Sequence, residues 1–414
     1  MSFRMTINPG VHEGTHLVRV LNEQTVLEII LNNGEITRPA IARKTGLSLP
    51  TIASLVESME RIGLIREQRM VSGEVGRPAT LYSANPNAGY VFAVDLGGIE
   101  IRAGITNLVG EVISESVEQT NGGNPSVLMD KFARLYRRLL QKSGFEKNTV
   151  GVACVGVPGV WNSKTDKIDA AYNLPMLNEI PLRATIQQVL DLPLIIENDV
   201  NLAAIGESWK GVAQDYDTFV TFSIGTGIGM GIVIDGEVYR GKNGAAGEIG
   251  LLPIGPDPFH PSLRSHGPLE IAASEPSIVT RLQCALAGDE ESVLTPDANI
   301  SQIIEAGDNG DEIACTILDD EARVLAIGVA AIVAVLDPPL LILSGGVGAH
   351  DELAQLVHRY AAQLIPWMPP IEVSVLGNRA AFYGAIALGL QALRKQVLVE
   401  TRSRIRLNQI TSQP

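Results

Sequence analysis

The stretch FVTFSIGTGIGMGIVIDG at residues 219–236 reads as a strand, a glycine loop, a second strand and a turn. Phe219 to Ile224 is apolar and rich in β-favouring residues. Met230 to Ile234 resumes that character up to the turn residues Asp235 and Gly236. Between them Gly225, Thr226, Gly227, Ile228 and Gly229 leave the backbone nearly bare, so its N–H groups can approach a phosphate or a small polar ligand. The arrangement recurs twice. Tyr90 to Val94 runs into Asp95, Leu96, Gly97 and Gly98, with a further strand from Ile101 to Thr106 and a turn at Asn107 to Gly110. Leu340 to Leu343 runs into Gly345 and Gly346. Three strand-to-glycine turns predict an α/β body of two related lobes closing on a ligand, with function gathered at the loops.

The composition around these loops is that of a globular chain with more than one core. In 414 residues, 45% are hydrophobic and 19% charged, which excludes the disordered and coiled-coil classes. The most apolar run, Val324 to Leu336, is 13 residues long and falls short of the ~20 needed to cross a bilayer, so it reads as a buried helix and no membrane partner is expected. The segment MSFRMTINPGVHEGTH has no continuous apolar run behind its early arginine, so a cytoplasmic location is expected. Cys154, Cys284 and Cys315 stand far apart in no metal-ligand spacing and read as buried free thiols. The net charge of −14 is unevenly spread: residues 1–90 sum to +1 and the rest to −15. A near-neutral head is thereby set apart from an acidic body.

Within the head, residues 1–85, the apolar positions between Thr25 and Leu31 predict a helix closed by Asn32, Asn33 and Gly34. Thr37 and Pro39 begin a second short helix that faces Ile41 and Ala42 inward and ends at Gly46. Ser48 and Pro50 begin a third, whose Ile52, Leu55, Val56, Met59 and Ile62 form one apolar stripe. Its other face carries Thr51, Ser54, Ser58 and Arg61. A helix, a glycine turn and a helix with small polar groups outward suit entry into a major groove. Two short strands follow, Leu64 to Val71 and Ala79 to Ser83, around a loop in which Arg77 lies between Gly76 and Pro78. This is the pattern of a winged helix-turn-helix. Ser48, Thr51, Ser54 and Ser58 are the candidate base-facing residues on double-stranded DNA, and Arg77 is placed for phosphate or a minor groove. The alternative is a three-helix packing module with no DNA role, since short helical hairpins and Ser or Thr on a solvated face are common; the capped turn, the stripe and the glycine-framed basic loop occurring in order favour the winged reading.

Asn85, Pro86 and Asn87 read as the junction to the body, residues 86–414. Along that body run DLGG at 95–98, VGVPG at 155–159, NLP at 173–175, ENDVNLAAIGE at 197–207, GTGIGMGIVIDG at 225–236 and GAAGEIG at 244–250. In this order, and over nearly the whole chain, these segments resemble the ROK family (repressors, open reading frames, kinases). The chain looks like one of its transcriptional regulators. The resemblance implies an actin-like, ribonuclease-H-type two-lobed sugar-kinase fold, dimeric or tetrameric, in which DNA-binding members respond to a sugar or sugar phosphate. Asn198 and Asp199 match the family's sugar-contacting pair, and in kinase members the aspartate is the general base. A carboxylate beside an amide is chemically suited to that work. Glu248 and Glu270 match sugar-site glutamates, with Gly159 and Asn173 lining the same cleft. The expected arrangement has Asn198, Asp199 and Glu248 on one lobe and the region from Gly156 to Asn173 on the other. For any one of these polar residues alone, helix or turn capping is an equally good reading.

The chain departs from the kinase pattern at three places. Ile99 and Glu100 stand where kinase members usually have Thr followed by Lys or Asn, and a carboxylate beside a polyphosphate repels it. Leu251 occupies the position of the family's zinc-binding histidine, and residues 262–270 lack the cysteines. Structural zinc needs about four N or S ligands, so none is expected; His260 and His266 read as surface residues. A sugar-responsive repressor leads these readings. An ATP-dependent kinase with a DNA-binding head, and a ligand-independent regulator using the body as an oligomerisation scaffold, remain as alternatives.

Overall fold

The computed structural model describes residues 11–411, except 73–77, 121–122, 147–148, 170, 172–173, 256, 265 and 289–290; the side chains of 11–17, 71–72, 78, 262, 264 and 399–411 are also outside the described set. Arg77 and Asn173 therefore lie outside the described residues.

In the head, α1 (Val11–Asn33), β1 (Ile36–Thr37), α2 (Arg38–Thr45), α3 (Leu49–Arg61), β2 (Ile65–Ser72) and β3 (Pro78–Ala84) follow in order. The strands form a small sheet ordered β1-β3-β2. Thr37 caps α2 by accepting the Ala40 N–H, and Ser48 caps α3 by accepting the Thr51 N–H. Ile52, Leu55, Val56 and Met59 are buried against Val26, Leu27 and Ile30 of α1. The first helix is much longer than the predicted Thr25–Leu31. Among the described side chains before Thr25, the apolar Val18 and Leu21 are exposed, so that part of the helix lacks the periodic burial seen from Val26 onward.

The first lobe contains β4 (Tyr90–Leu96), β5 (Glu100–Asn107), β6 (Val112–Gln119), α4 (Pro125–Ser143), β7 (Val150–Val157), β8 (Val160–Asn162), β9 (Lys167–Asp169), α5 (Leu182–Leu190) and β10 (Leu194–Asn198). Helix α6 (Asp199–Lys210) leads out of it. The second lobe contains β11 (Phe219–Ile224), β12 (Ile228–Ile234), β13 (Glu237–Val238), α7 (Pro268–Ala273), α8 (Glu275–Leu286), α9 (Ile300–Asp308), α10 (Glu312–Leu336), β14 (Leu341–Ser344), α11 (Gly345–Gly348), α12 (Asp351–Leu364) and β15 (Ile371–Val373), before α13 (Ala380–Thr411).

The two five-stranded sheets share one plan. Their orders, β10-β7-β4-β5-β6 and β13-β12-β11-β14-β15, place the first strand of each lobe centrally. An antiparallel second strand lies on one side of it and parallel strands on the other. Phe92, Phe132, Leu139 and Ile186 fill the outer core of the first lobe, and α10 and α12 cover the second through Ile332, Val333 and Val357. Between the sheets lie α6 and α13. They cross so closely that a Cβ on Gly384 would sit 1.8 Å from the Leu202 carbonyl, and one on Gly206 would sit 2.2 Å from that of Ala380.

Head and body share a continuous core. Val91, Cys154, Phe382, Leu390 and Leu393 belong to the same buried cluster as Val26, Ile52 and Tyr82. Of the three cysteines expected to be buried, only Cys154 is, and burial pushes its thiol up. Cys284 and Cys315 are exposed, because each faces away from the core on an amphipathic helix. Among the described residues, no helix is long and apolar enough to cross a membrane.

Candidate functional site

The parallel strands β7 and β10 end together, with Asn198 in register with Val157. Asn198 then caps α6: its Oδ1 accepts the N–H groups of Val200 and Asn201 at 2.9 and 3.0 Å, while Nδ2 donates to the Gly159 carbonyl at 3.2 Å. The capping alternative is thus realised at this residue. The same bonds aim the neighbouring Asp199 into the cleft and tie Gly159 to its rim. Glu248 arrives from the second lobe. Gly247, at φ +97°, lets its loop bond to β12, with the Met230 N–H donating to the Gly247 carbonyl at 2.8 Å. A Cβ there would lie 1.9 Å from the Met230 oxygen. Glu270 on α7 is oriented by the Ile228 N–H, which donates to its Oε2 at 3.0 Å.

Together these groups line a cavity of about 150 Å³ with Gly159, Gly227 and Gly229. Every sugar-site candidate among the described residues is in it. Their division between lobes corrects the expectation: Asn198 and Asp199 stand with Gly159 on the first lobe, because β10 pairs with β7, whereas Glu248 and Glu270 come from the second.

A second cavity, of about 360 Å³, shares Asp199, Gly225 and Thr226 with the first. Asp95, Gly97 and Gly98 line one side of it and Gly345 and Gly346 another, so the three glycine loops converge. Ile99 and Glu100 line it too, and so does Glu275, a carboxylate that sequence reasoning missed. Its signal is tertiary: the Glu275 N–H donates to the Gly225 carbonyl at 2.8 Å. Glu100 pairs with Arg102, which also holds Glu115; that carboxylate in turn holds Arg379, just before α13.

Burial pushes Asp95, Asp199 and Glu248 up to about 7. For Asp199 the nearby Asp95 and Glu270 add to the rise, for Glu248 Asp199 and Glu270 do so, and Arg102 moderates it at Asp95. Glu270 is raised by burial, against the opposing effects of the Ile228 N–H and His266. Near neutrality such groups can both donate to and accept from hydroxyls, and a base so tuned can take a proton from one. Among the described residues, no group of three or more His, Cys, Asp or Glu side chains is placed to hold a metal. Leu251, His260 and His266 are exposed.

On the head, Ser54 is exposed on α3, and Thr51 and Ser58 are half-buried. The Thr51 hydroxyl lies 2.8 Å from that of Ser48, and Arg61 pairs with Glu57.

A family model for the ROK family matches residues 91–392, and one for winged helix-turn-helix DNA-binding matches residues 22–66. The xylose repressor of Caldicellulosiruptor bescii is 29% identical over 391 residues, covering 91% of this chain and 97% of the repressor. The crystal structure of a ROK family transcriptional regulator, a homologue of the E. coli MLC protein, superposes with a TM-score of 0.75 at 24% identity, over 92% of this chain and 98% of its own. A ROK family glucokinase from Streptomyces griseus, in complex with glucose and AMPPNP, superposes with a TM-score of 0.65 at 27% identity, over 73% of this chain and 100% of its own.

Proposed function

The chain belongs to the ROK family and carries a winged helix-turn-helix at its head, and on that premise we propose that it is a sugar-responsive repressor of carbohydrate-metabolism genes. The observation that carries the reading is the cavity built by Asp199, Glu248 and Glu270 in a chain that also bears a DNA-binding head. Its polar lining suits a hydroxylated ligand held between two lobes. The likeness to a xylose repressor over 91% of the chain supports a pentose or hexose as effector and repression as the outcome. Double-stranded operator DNA is the second partner. Two heads in a homodimer or homotetramer would read a palindrome, since one small module has little affinity alone. The protein would act in the cytoplasm and without a cofactor.

Kinase activity is the second reading, favoured by the Asp199 carboxyl near neutrality and the converging glycine loops. Against it stand Glu100 and Glu275 on the second cavity, where a nucleoside polyphosphate would meet like charge.

Sugar binding can reach the DNA through α13. Ala380 and Ala381 in its first turn line the second cavity, Leu393 and Leu398 further on join the head's core cluster, and the Arg394 guanidinium feels Glu28 of α1. The test is an operator-binding titration with and without sugar. Asp199→Ala should bind operator as tightly as the wild type yet lose the sugar response, because the carboxylate faces the cavity and not the DNA. A variant that still responds at the wild-type sugar concentration would place the effector elsewhere.

A further inference from the structure

A third cavity, of about 320 Å³, opens beside the first and shares Asn198 and Gly244 with it. Its walls come from both lobes: Trp161 to Lys164 and Ile196 to Asn198 from the first, Arg240 to Gly244 from the second. Its basic residues, Lys164, Arg240 and Lys242, lie outside both the family segments and the glycine loops. The charge of its lining is opposite to that of its neighbour. Lys164, Arg240 and Lys242 face one carboxylate, Glu197, where the first cavity gathers Asp199, Glu248 and Glu270.

Glu197 cannot neutralise the two lysines. It is 9% exposed and its carboxylate is already committed. Its Oε1 accepts from the Asn198 N–H and from Asn201 Nδ2 at 2.9 and 3.0 Å, and its Oε2 accepts from Arg240 Nε at 2.7 Å. That last pair crosses the cleft between lobes and holds the guanidinium against the cavity wall. Arg240 Nη1 donates to the Val238 carbonyl at 3.2 Å, and Nη2 has no partner among the described residues. Lys164 is presented by a tight turn in which Asn162 Oδ1 accepts its N–H at 3.0 Å. Among the described residues, neither Lys164 nor Lys242 makes an ion pair. The Trp161 ring, held by its Nε1 bond to Asp166 and covered by the Arg183 guanidinium at 4.8 Å, supplies an apolar wall for the C–H face of a sugar.

Resting on the sugar-cleft reading above, we infer that the third cavity is an anion subsite continuous with the sugar cavity, so that this chain reads a sugar carrying a phosphate monoester or a carboxylate. The polyol is held by the carboxylates of the first cavity, and its anionic end by Lys164, Lys242 and Arg240 Nη2. Charge-assisted hydrogen bonds of this kind are the stronger class. The anion would also join Lys164 of one lobe to Lys242 of the other, adding to the Glu197–Arg240 pair in holding the cleft shut.

The experiment is calorimetric titration of the full chain with D-xylose, D-glucose and D-mannose, each against its terminal phosphate monoester and its uronic acid, at low and raised salt. For the sugar that binds, an anionic form should bind about tenfold tighter than the neutral one, and the ratio should shrink as salt rises. Tighter binding of the monoester than of the uronic acid would identify phosphate as the anion; the reverse would identify a carboxylate. In the double variant Lys164→Gln/Lys242→Gln the ratio should fall to within about twofold. If the neutral sugar binds and its anionic forms bind no tighter, or if the ratio survives in the double variant, the subsite is wrong and the sugar cleft stands. If no sugar of the panel binds in any form, the sugar cleft itself is overturned and the subsite with it.

Discussion

Asp199 is the residue on which the two halves of the proposed function meet. It lies at the first turn of α6, on the wall common to the first cavity and the glycine-loop cavity, within the field of Asp95 and Glu270. Its carboxyl is pushed up to about 7, chiefly by burial. A carboxyl raised in the folded state contributes stability that is fully present below its unfolded value near 4 and is lost as pH rises through about 7. Above that point the fold must keep a half-buried negative charge beside others. Asp199→Asn, which keeps the shape and removes the charge, should therefore raise the Tm of the sugar-free protein at about pH 8, by a stability on the order of 1 kcal/mol, and change it least near pH 4, the gain growing as pH rises between the two. Thermal melts of both proteins across that range would refute the assignment if their difference did not vary with pH. At this scale, the residue types at 198–199, 248 and 270 were legible as candidates. The commitment of the Asn198 amide to Gly159 and to the start of α6 was not, since it depends on β7 and β10 ending side by side.

Among the elements, α3 is the one whose sequence most directly states its task. Its buried stripe and its Ser48 cap were both readable from spacing, because a helix that packs on one side repeats its apolar residues every three or four positions. The exposed Ser54 and the half-buried Thr51 follow from the same periodicity. A bidentate base contact is worth roughly 1–3 kcal/mol of discrimination and a single hydroxyl contact sits at the low end, about 1 kcal/mol, so Ser54→Ala and Thr51→Ala should each change the preference among operator bases by about fivefold in a randomised-site selection. An unchanged preference would remove them from base readout. Arg77, expected at the wing tip, is outside the described residues, and its role stays a proposal. Helix α13 has no comparable signature. Its residues from Ala380 to Leu398 meet the cavity, the first sheet, α6 and the head in turn, so no single face is apolar throughout.

For the whole molecule, the central feature is the crossing of α6 and α13 between the two sheets. The backbones approach so closely there that a side chain on Gly384 would strike the Leu202 carbonyl. Gly384→Val should destabilise the chain by about 1–3 kcal/mol, the range of overpacked cores, and so lower its Tm. A variant melting with the wild type would mean that the helices can part without cost. Since α13 also reaches the head, the surviving folded fraction should show a weakened sugar effect on operator binding. Coupling of that kind is reciprocal, so operator DNA should alter sugar affinity by the factor with which sugar alters operator affinity.

Local order explains what could be read from the amino acids alone. The strand-to-glycine turns, the capped helices of the head and the family segments are patterns of near neighbours, governed by backbone freedom and by periodic burial. They were enough for the two-lobed α/β body, the winged head and the roster of polar candidates. Everything that depends on residues distant in sequence meeting in space needed the folded chain. Pairing of β10 with β7 moved Asn198 and Asp199 to the lobe opposite Glu248. Folding brought Glu275 to the glycine loops, and Lys164 and Lys242 to one cavity from two lobes. It also left Cys284 and Cys315 exposed. Burial and electrostatic field depend on three-dimensional surroundings, so the raised carboxyls and the charge contrast between adjoining cavities arise only once the lobes have packed around α6 and α13.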